Sequence, residues 1–113
     1  PKKIHASPAK ACKLSVIAHN VAPQPYGIIG SATFNCGTGN SILCENVTAV
    51  LKTTNINTGQ MYIASNTLSL FCSKSGNIAA FLELPSGTYQ YVFYCIGNDT
   101  QAYYVNETGL FSR

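Results

Sequence analysis

The residues that could do chemistry in this chain are few and lie far apart in the sequence. Its 113 residues include four carboxylates and two histidines, and its single arginine is Arg113. Cleavage of RNA by general acid–base catalysis needs a carboxylate and a histidine near the reacting atoms, and a cation that stabilises the charge developing on the phosphate. His19 would have to pair with Glu83 or Glu107. Because no predicted strand carries an arginine, we predict no catalytic residue, and a weak endoribonuclease that uses His19 is only the third hypothesis.

The five cysteines predict disulfides rather than a metal site. None of them forms a Cys-x-x-Cys pair, and two histidines give them little help, so we predict no metal and no cofactor. Two disulfides and one free thiol are expected, and the spacing does not choose among the pairings. Cys44 is the predicted free thiol, because it falls on the apolar face of a predicted helix, where a buried thiol behaves as a small hydrophobic side chain. The cysteines are Cys12, Cys36, Cys44, Cys72 and Cys95.

Composition and charge favour one domain made in the secretory pathway. Only 10% of the residues are charged, 46% are hydrophobic, and the net charge is +3. The cysteines, together with N-glycosylation sequons at Asn46, Asn98 and Asn106, indicate secretion. Residues 1–12 are predicted to form a basic N-terminal tail, followed by a single globular domain over residues 13–113. The longest apolar runs stop short of the roughly 18 residues that a membrane span needs, so no membrane association is predicted.

Turn signals divide most of the chain into short segments whose side chains alternate between apolar and polar, which is typical of strands. Residues 22–27 contain two prolines and a glycine and predict a loop, since proline removes a backbone donor. The order of elements is two strands, one predicted helix and an antiparallel meander. The predicted strands cover residues 13–19, 28–36, 61–63, 67–72, 78–84, 88–96 and 101–105.

Residues 41–53 are the exception to the strand pattern. On a helix, Leu43, Val47 and Leu51 share one face, with Cys44 and Val50 beside them. On a strand, the same segment would place Glu45 among apolar side chains. We therefore predict an α+β fold in which one helix, over residues 41–53, packs on a twisted antiparallel sheet. The alternative is an all-β sandwich in which this segment is a strand.

Three stretches carry a resemblance to a known family. The motif Phe34-Asn35-Cys36, before the predicted helix, is similar to an aromatic-x-Cys motif, and residues 84–94 and 104–109 are similar to the last two core strands of the same family. On these stretches the chain resembles the ribonuclease-like secreted effectors of powdery mildew fungi. The resemblance implies a ribonuclease-like fold with a single helix on an antiparallel sheet.

The resemblance also implies a function. The scaffold would be catalytically inactive, because the catalytic arginine and histidine of ribonucleases have no counterpart at the matching positions. Such a protein would be a secreted virulence or avirulence effector that reaches the host cytoplasm as a monomer, binds a host protein and is recognised by a plant immune receptor. RNA binding through Lys13, Lys52 and Lys74 is a further hypothesis. The alternative function is a disulfide-stapled, secreted β-sandwich that acts as a binding or allergen-like protein.

Overall fold

The computed structural model describes residues 12–38 and 43–113, and the regular secondary structure of these residues is entirely β-strand. The α+β prediction is therefore wrong, and the fold fits the all-β alternative. Seven strands follow one another along the described chain. They are β1 (Leu14–Gln24), β2 (Gly27–Cys36), β3 (Leu43–Asn55), β4 (Met61–Phe71), β5 (Ser75–Glu83), β6 (Thr88–Gly97) and β7 (Tyr103–Ser112).

The strands form two antiparallel sheets that pack face to face as a sandwich. The three-stranded sheet has the order β1-β2-β5, and the four-stranded sheet has the order β4-β3-β6-β7. β4 lies beside β5 at one side of the sandwich, and β1 lies beside β7 at the other. Because each edge strand has a neighbour in the opposite sheet, the exposed edges shield one another. The described residues contain no helix that is long and apolar enough to cross a membrane.

The segment predicted as a helix is the central strand β3, and residues 41 and 42 of that prediction lie outside the described residues. β3 pairs with β4 on one side and β6 on the other, so its alternate side chains, at Val47, Ala49 and Leu51, are fully buried. Glu45 continues this alternation and is buried, and at the register shift between Leu43 and Glu45 the side chain of Cys44 is buried as well. The valines and threonines of β3 suit a strand, because branching at Cβ restricts their rotamers in a helix.

Three strands also differ clearly from their predicted bounds. The last strand, predicted over residues 101–105, is β7 and covers Tyr103–Ser112. β1 continues through the predicted loop as far as Gln24, and Pro23 is tolerated because β1 is an edge strand whose free side needs no backbone donor. The segments 61–63 and 67–72 are one strand, β4, which pairs with β3 along its whole length. Tertiary pairing therefore overrides the weak turn signals between residues 63 and 67.

Two disulfides close one end of the sandwich, which we call the disulfide end. Cys36 at the end of β2 is bonded to Cys44 at the start of β3, so Cys44 is not the free thiol that the sequence predicted. Cys12, the last residue of the predicted basic tail, is buried and bonded to Cys72, whereas residues 1–11 lie outside the described part of the chain. The free thiol of the described residues belongs to Cys95 on β6, and burial raises its pKa to about 12.

Aromatic side chains fill the opposite end, which we call the aromatic end. The ring of Tyr89 is fully buried, stacks on Phe111 with centroids 5.4 Å apart, and meets Tyr62 edge-on at 6.2 Å. Further inward, Phe93 covers Gly30, whose hydrogen side chain lets the two sheets approach, since a Cβ there would lie 2.5 Å from the ring. At this end the sheets are therefore held together by the packing of large aromatic rings rather than by disulfides.

Candidate functional site

The outer face of the four-stranded sheet is the first candidate surface. Its rows follow from strand register, since the side chains that alternate with the buried ones point to solvent. One row runs across Met61, Thr54, Gln90 and Leu110, and the next runs across Ile63, Lys52, Val92 and Thr108. The following rows are Ser65, Val50, Tyr94 and Asn106, and then Thr67, Thr48, Ile96 and Tyr103.

The half of this face near the aromatic end, which we call the apolar half, exposes large apolar side chains. Met61 and Ile63 are each 56% exposed, and Leu110 is 68% exposed. Val92 lies between them, and Lys52 is the charged residue of these two rows. A single exposed apolar residue is ordinary, whereas several on adjacent rows are typical of a surface that another molecule covers.

The other half, which we call the sequon half, is richer in hydrogen-bonding groups. Tyr94 and Tyr103 pack against each other there, with ring centroids 5.5 Å apart. The Thr48 hydroxyl donates to Oδ1 of Asn98 at 3.5 Å, and the Ser69 hydroxyl donates to Oδ1 of Asn46 at 2.6 Å. These hydrogen bonds join β3 to β4 and to the β6–β7 turn, so side chains as well as backbone connect the elements of this half.

A titratable cluster lies at the side of the sandwich where β1 meets β7. His19 Nδ1 lies 3.2 Å from Glu107 Oε1, and the Tyr91 hydroxyl donates to Glu107 Oε2 at 3.1 Å. Burial raises the pKa of Tyr91, and the hydrogen bond with Glu107 and the charge of its carboxylate raise it further. Of the two glutamates that the sequence offered to His19, the structure brings Glu107 to it, while Glu83 lies on β5 opposite Gly27.

This cluster joins the two sheets. Both oxygens of Glu107 are engaged, one by His19 and one by Tyr91, so the carboxylate ties β7 to β1 and to β6. The contact therefore holds the edge strands β1 and β7 together at this side of the sandwich.

The structure brings together two of the three lysines proposed for RNA binding. Lys13 and Lys74 both lie at the disulfide end, where their carbonyls accept from the backbone N–H groups of Gly37 and Cys36, each at 2.9 Å. Lys52 lies on the outer face, eight residues along β3 from Cys44, which is about 26 Å at the rise of a strand. The three side chains therefore belong to two surfaces.

The aromatic-x-Cys motif is part of the core. Phe34 is fully buried and meets Tyr104 edge-on, with ring centroids 6.1 Å apart. Cys36 is in a disulfide, and Asn35 points outward from β2, opposite Ser15. The motif therefore anchors the disulfide end and presents only Asn35 at the surface.

Sequence reasoning missed the apolar half and the buried carboxylate of Glu45. The alternation along β4, with Met61 and Ile63 opposite in phase to Leu68 and Leu70, could have revealed the first. Glu45 accepts a hydrogen bond from the Thr100 hydroxyl at 3.2 Å, and its Oε2 lies against Gly97. No pattern in the neighbouring sequence indicates that the carboxylate of Glu45 is hydrogen-bonded by Thr100. No group of three metal-ligating side chains occurs among the described residues.

No protein-family model matches this chain, and no curated protein sequence matches it. The architecture defines a class, a seven-stranded antiparallel β-sandwich closed by two disulfides at one end. The surfaces of the chain itself therefore carry the functional conclusion.

Proposed function

We propose that this chain is a secreted, disulfide-stapled β-sandwich that works by binding another protein through the apolar half of its outer face. The observation that carries the proposal is the exposure of Met61, Ile63 and Leu110 on adjacent rows of one sheet. Leu110 lies three strands away from Met61, about 14 Å at the usual spacing between strands.

Secretion is supported by the disulfides. Bonds such as Cys12–Cys72 and Cys36–Cys44 form and persist in oxidising compartments. A small β-sandwich gains much from them, because a short chain buries a limited amount of apolar surface.

A protein partner suits the charge of the apolar half better than a nucleic acid does. Nucleic-acid binding draws most of its free energy from several cations near phosphates. Lys52 alone provides a charge on these rows, as expected of an interface centre that is apolar with a polar rim.

The identity of the partner stays a prediction. A plant host protein, an immune receptor and the host cytoplasm all followed from the resemblance to ribonuclease-like effectors. The helix-on-sheet scaffold of that family is not the fold of this chain, so a ribonuclease-like scaffold is no longer proposed. An effector role remains compatible with a secreted binding module and draws its support from the disulfides and the apolar half alone.

The test compares the two outer faces of the sandwich by photo-crosslinking. A photoreactive phenylalanine analogue replaces Leu110 in one sample and Phe81, an exposed side chain of the three-stranded sheet, in the other. Each is incubated with extract and extracellular fluid of a candidate host. We expect a discrete crosslinked protein from position 110 and none from position 81, and loss of that product when Ile63→Asp is added with an unchanged circular dichroism spectrum.

Two outcomes would contradict the proposal. Equal crosslinking from both faces would show that the apolar half is not the contact surface. Saturable binding of single-stranded RNA that disappears in the Lys13→Glu/Lys74→Glu variant, with no crosslink from position 110, would move the function to the disulfide end.

A further inference from the structure

The three sequons, which are far apart in the sequence, meet on one face of the folded chain. Asn46 lies on β3, Asn98 follows β6, and Asn106 lies on β7. The backbone N–H of Asn98 donates to the carbonyl of Asn46 at 2.8 Å, and Asn106 is the register partner of Tyr94. All three thus border the sequon half of the outer face.

The opposite face provides an internal comparison. The outward positions of the three-stranded sheet also hold asparagines, at Asn20, Asn35 and Asn77, and none of them begins a sequon. The sequons are therefore concentrated on one sheet even though both sheets expose asparagine.

We propose that Asn98 and Asn106 carry N-linked glycans that cover the sequon half of the outer face. The inference rests on the proposed passage through the secretory pathway. Both residues are exposed, and the bond from Thr48 to Asn98 uses Oδ1, so the amide nitrogen that would bear the sugar is not the atom engaged. Asn46 is half-buried beside Asn98, where a second glycan would compete for the same space, and it is not included.

The chemistry needs a donor of one class, an oligosaccharide linked to a polyprenyl diphosphate. The side-chain amide nitrogen of the asparagine attacks C1 of the first sugar, and the bond between C1 and the diphosphate oxygen breaks. An N–C1 bond forms, one amide proton is released, and polyprenyl diphosphate leaves. The threonine two residues on, Thr100 or Thr108, is the part of the sequon that the transferring enzyme requires.

The glycans would cover a defined part of the surface and leave the rest open. Tyr103, which is 59% exposed, lies next to Tyr94 in the sequon half. Leu110 lies four residues further along β7 than Asn106, about 13 Å at the rise of a strand. A glycan at Asn106 is therefore attached beside the tyrosine pair and away from Leu110.

The first experiment locates the glycans. The chain is expressed in yeast behind a cleavable secretory leader, and its intact mass is measured before and after treatment with peptide-N-glycosidase, which converts a modified asparagine to aspartate. Peptide mapping should find this conversion at Asn98 and Asn106. An unmodified asparagine at either position overturns the proposal.

Matched variants assign the mass to a site. Thr108→Ala should remove one glycan, whereas Thr108→Ser, which preserves the sequon, should retain it. Asn98→Gln serves for the second site, because Thr100 donates to Glu45 and its replacement would disturb the core. Retention of both glycans in Thr108→Ala overturns the assignment to Asn106.

The second experiment measures the shielding. Hydroxyl-radical footprinting should modify Tyr103 several-fold less in the glycosylated protein than in the enzymatically deglycosylated protein. Phe81, on the opposite sheet, should react equally in both samples. Equal reactivity of Tyr103 in the two samples overturns the proposal that the glycans cover this half.

The failures of the two proposals are distinguishable. Both the medium and the cell-associated fraction are mapped, so the glycans are assessed wherever the chain accumulates. A glycan-free chain in the medium overturns this inference and leaves secretion and binding untouched. A glycosylated chain whose position 110 captures no protein contradicts the binding function and leaves the glycan sites in place.

Discussion

The two ends of the sandwich are joined by different means. At the disulfide end, the Cys12–Cys72 and Cys36–Cys44 bonds connect segments on both sheets, and the carboxylate of Glu45 lies buried among them. At the aromatic end, no disulfide joins the described residues. The rings of Tyr89, Phe111 and Tyr62 fill the space between the sheets, and the backbones of Gly87 and Arg113 donate to each other at 3.0 and 2.9 Å.

The difference shows two ways in which a small sandwich joins its sheets. The disulfide end buries apolar side chains, including Phe34 and Leu70, together with the carboxylate of Glu45. The disulfides add stability there through the unfolded state, in addition to hydrophobic burial. At the aromatic end, three large rings bury apolar area without a disulfide.

Removal of one disulfide at a time gives the largest expected effect. The chain between Cys12 and Cys72 spans 60 residues, and that between Cys36 and Cys44 spans 8. Because a longer loop loses more entropy on closure, replacing both members of the first pair with serine should cost about 4 kcal/mol of unfolding free energy, and of the second about 2.5 kcal/mol. Guanidinium unfolding measures both, and a reversed order would contradict the entropic account.

Gly97→Ala tests the packing around the buried carboxylate. A Cβ at Gly97 would meet Glu45 Oε2 and would lie 2.8 Å from the ring of Tyr104. We expect a loss of about 3 kcal/mol, as for overpacking in a core. Gly37→Ala is the matched control at the same end, since its nearest neighbour would be 3.6 Å away. Similar stability of the two variants in thermal unfolding would show that Glu45 moves aside without cost.

Tyr89→Phe separates the hydroxyl of the aromatic end from its ring. The hydroxyl donates to the Pro85 carbonyl at 2.7 Å, and the ring would keep its contacts in phenylalanine. The loss of this bond should cost about 1 kcal/mol. Tyr103→Phe, at an exposed ring, should change the unfolding free energy very little. A loss of several kcal/mol in Tyr89→Phe would mean that the end depends on polar bonds more than on ring packing.

The smallest expected effect concerns the contact between β1, β6 and β7, midway between the ends. The pKa of Tyr91 is raised in the folded chain, so the folded state holds this proton more tightly than the unfolded state. The associated stability is fully present below the ordinary tyrosine pKa of about 10 and is lost as the pH rises through the raised value. The free energy of unfolding, measured between about pH 8 and pH 12, should therefore fall more steeply with pH in the wild-type chain than in Tyr91→Phe. Parallel profiles would contradict this coupling.

The helix prediction failed for a reason that lies in the periodicities themselves. Val47 and Leu51 are four residues apart, and positions four apart share a face both in a helix and in a strand. Glu45 was the residue that could discriminate, and its charge argued against a buried strand face. The structure buries it nevertheless, on the same face of β3 as Val47 and Leu51, where the Thr100 hydroxyl donates to its carboxylate. That hydrogen bond joins residues 55 positions apart, which no local pattern reports.

The candidate sites show the same division between local and distant information. The sequence named His19 and Glu107 as possible partners, and it marked the three sequons. Only the pairing of strands brings that histidine within 3.2 Å of that glutamate and gathers the sequons on one sheet. The apolar half could have been anticipated from the alternation along β4, had Met61 and Ile63 been assigned to a single long strand.

By itself, the sequence determined the strands at residues 28–36, 78–84 and 88–96 and the presence of two disulfides and one free thiol. These features depend on the alternation of neighbouring side chains and on the number of cysteines, both of which are local or compositional. Only the tertiary structure decided that β3 is a strand, that Cys44 is bonded while Cys95 is free, and which face exposes the apolar and sequon halves. Each of these depends on contacts between residues distant in sequence, because a sheet is held together by its neighbours rather than by its own chain.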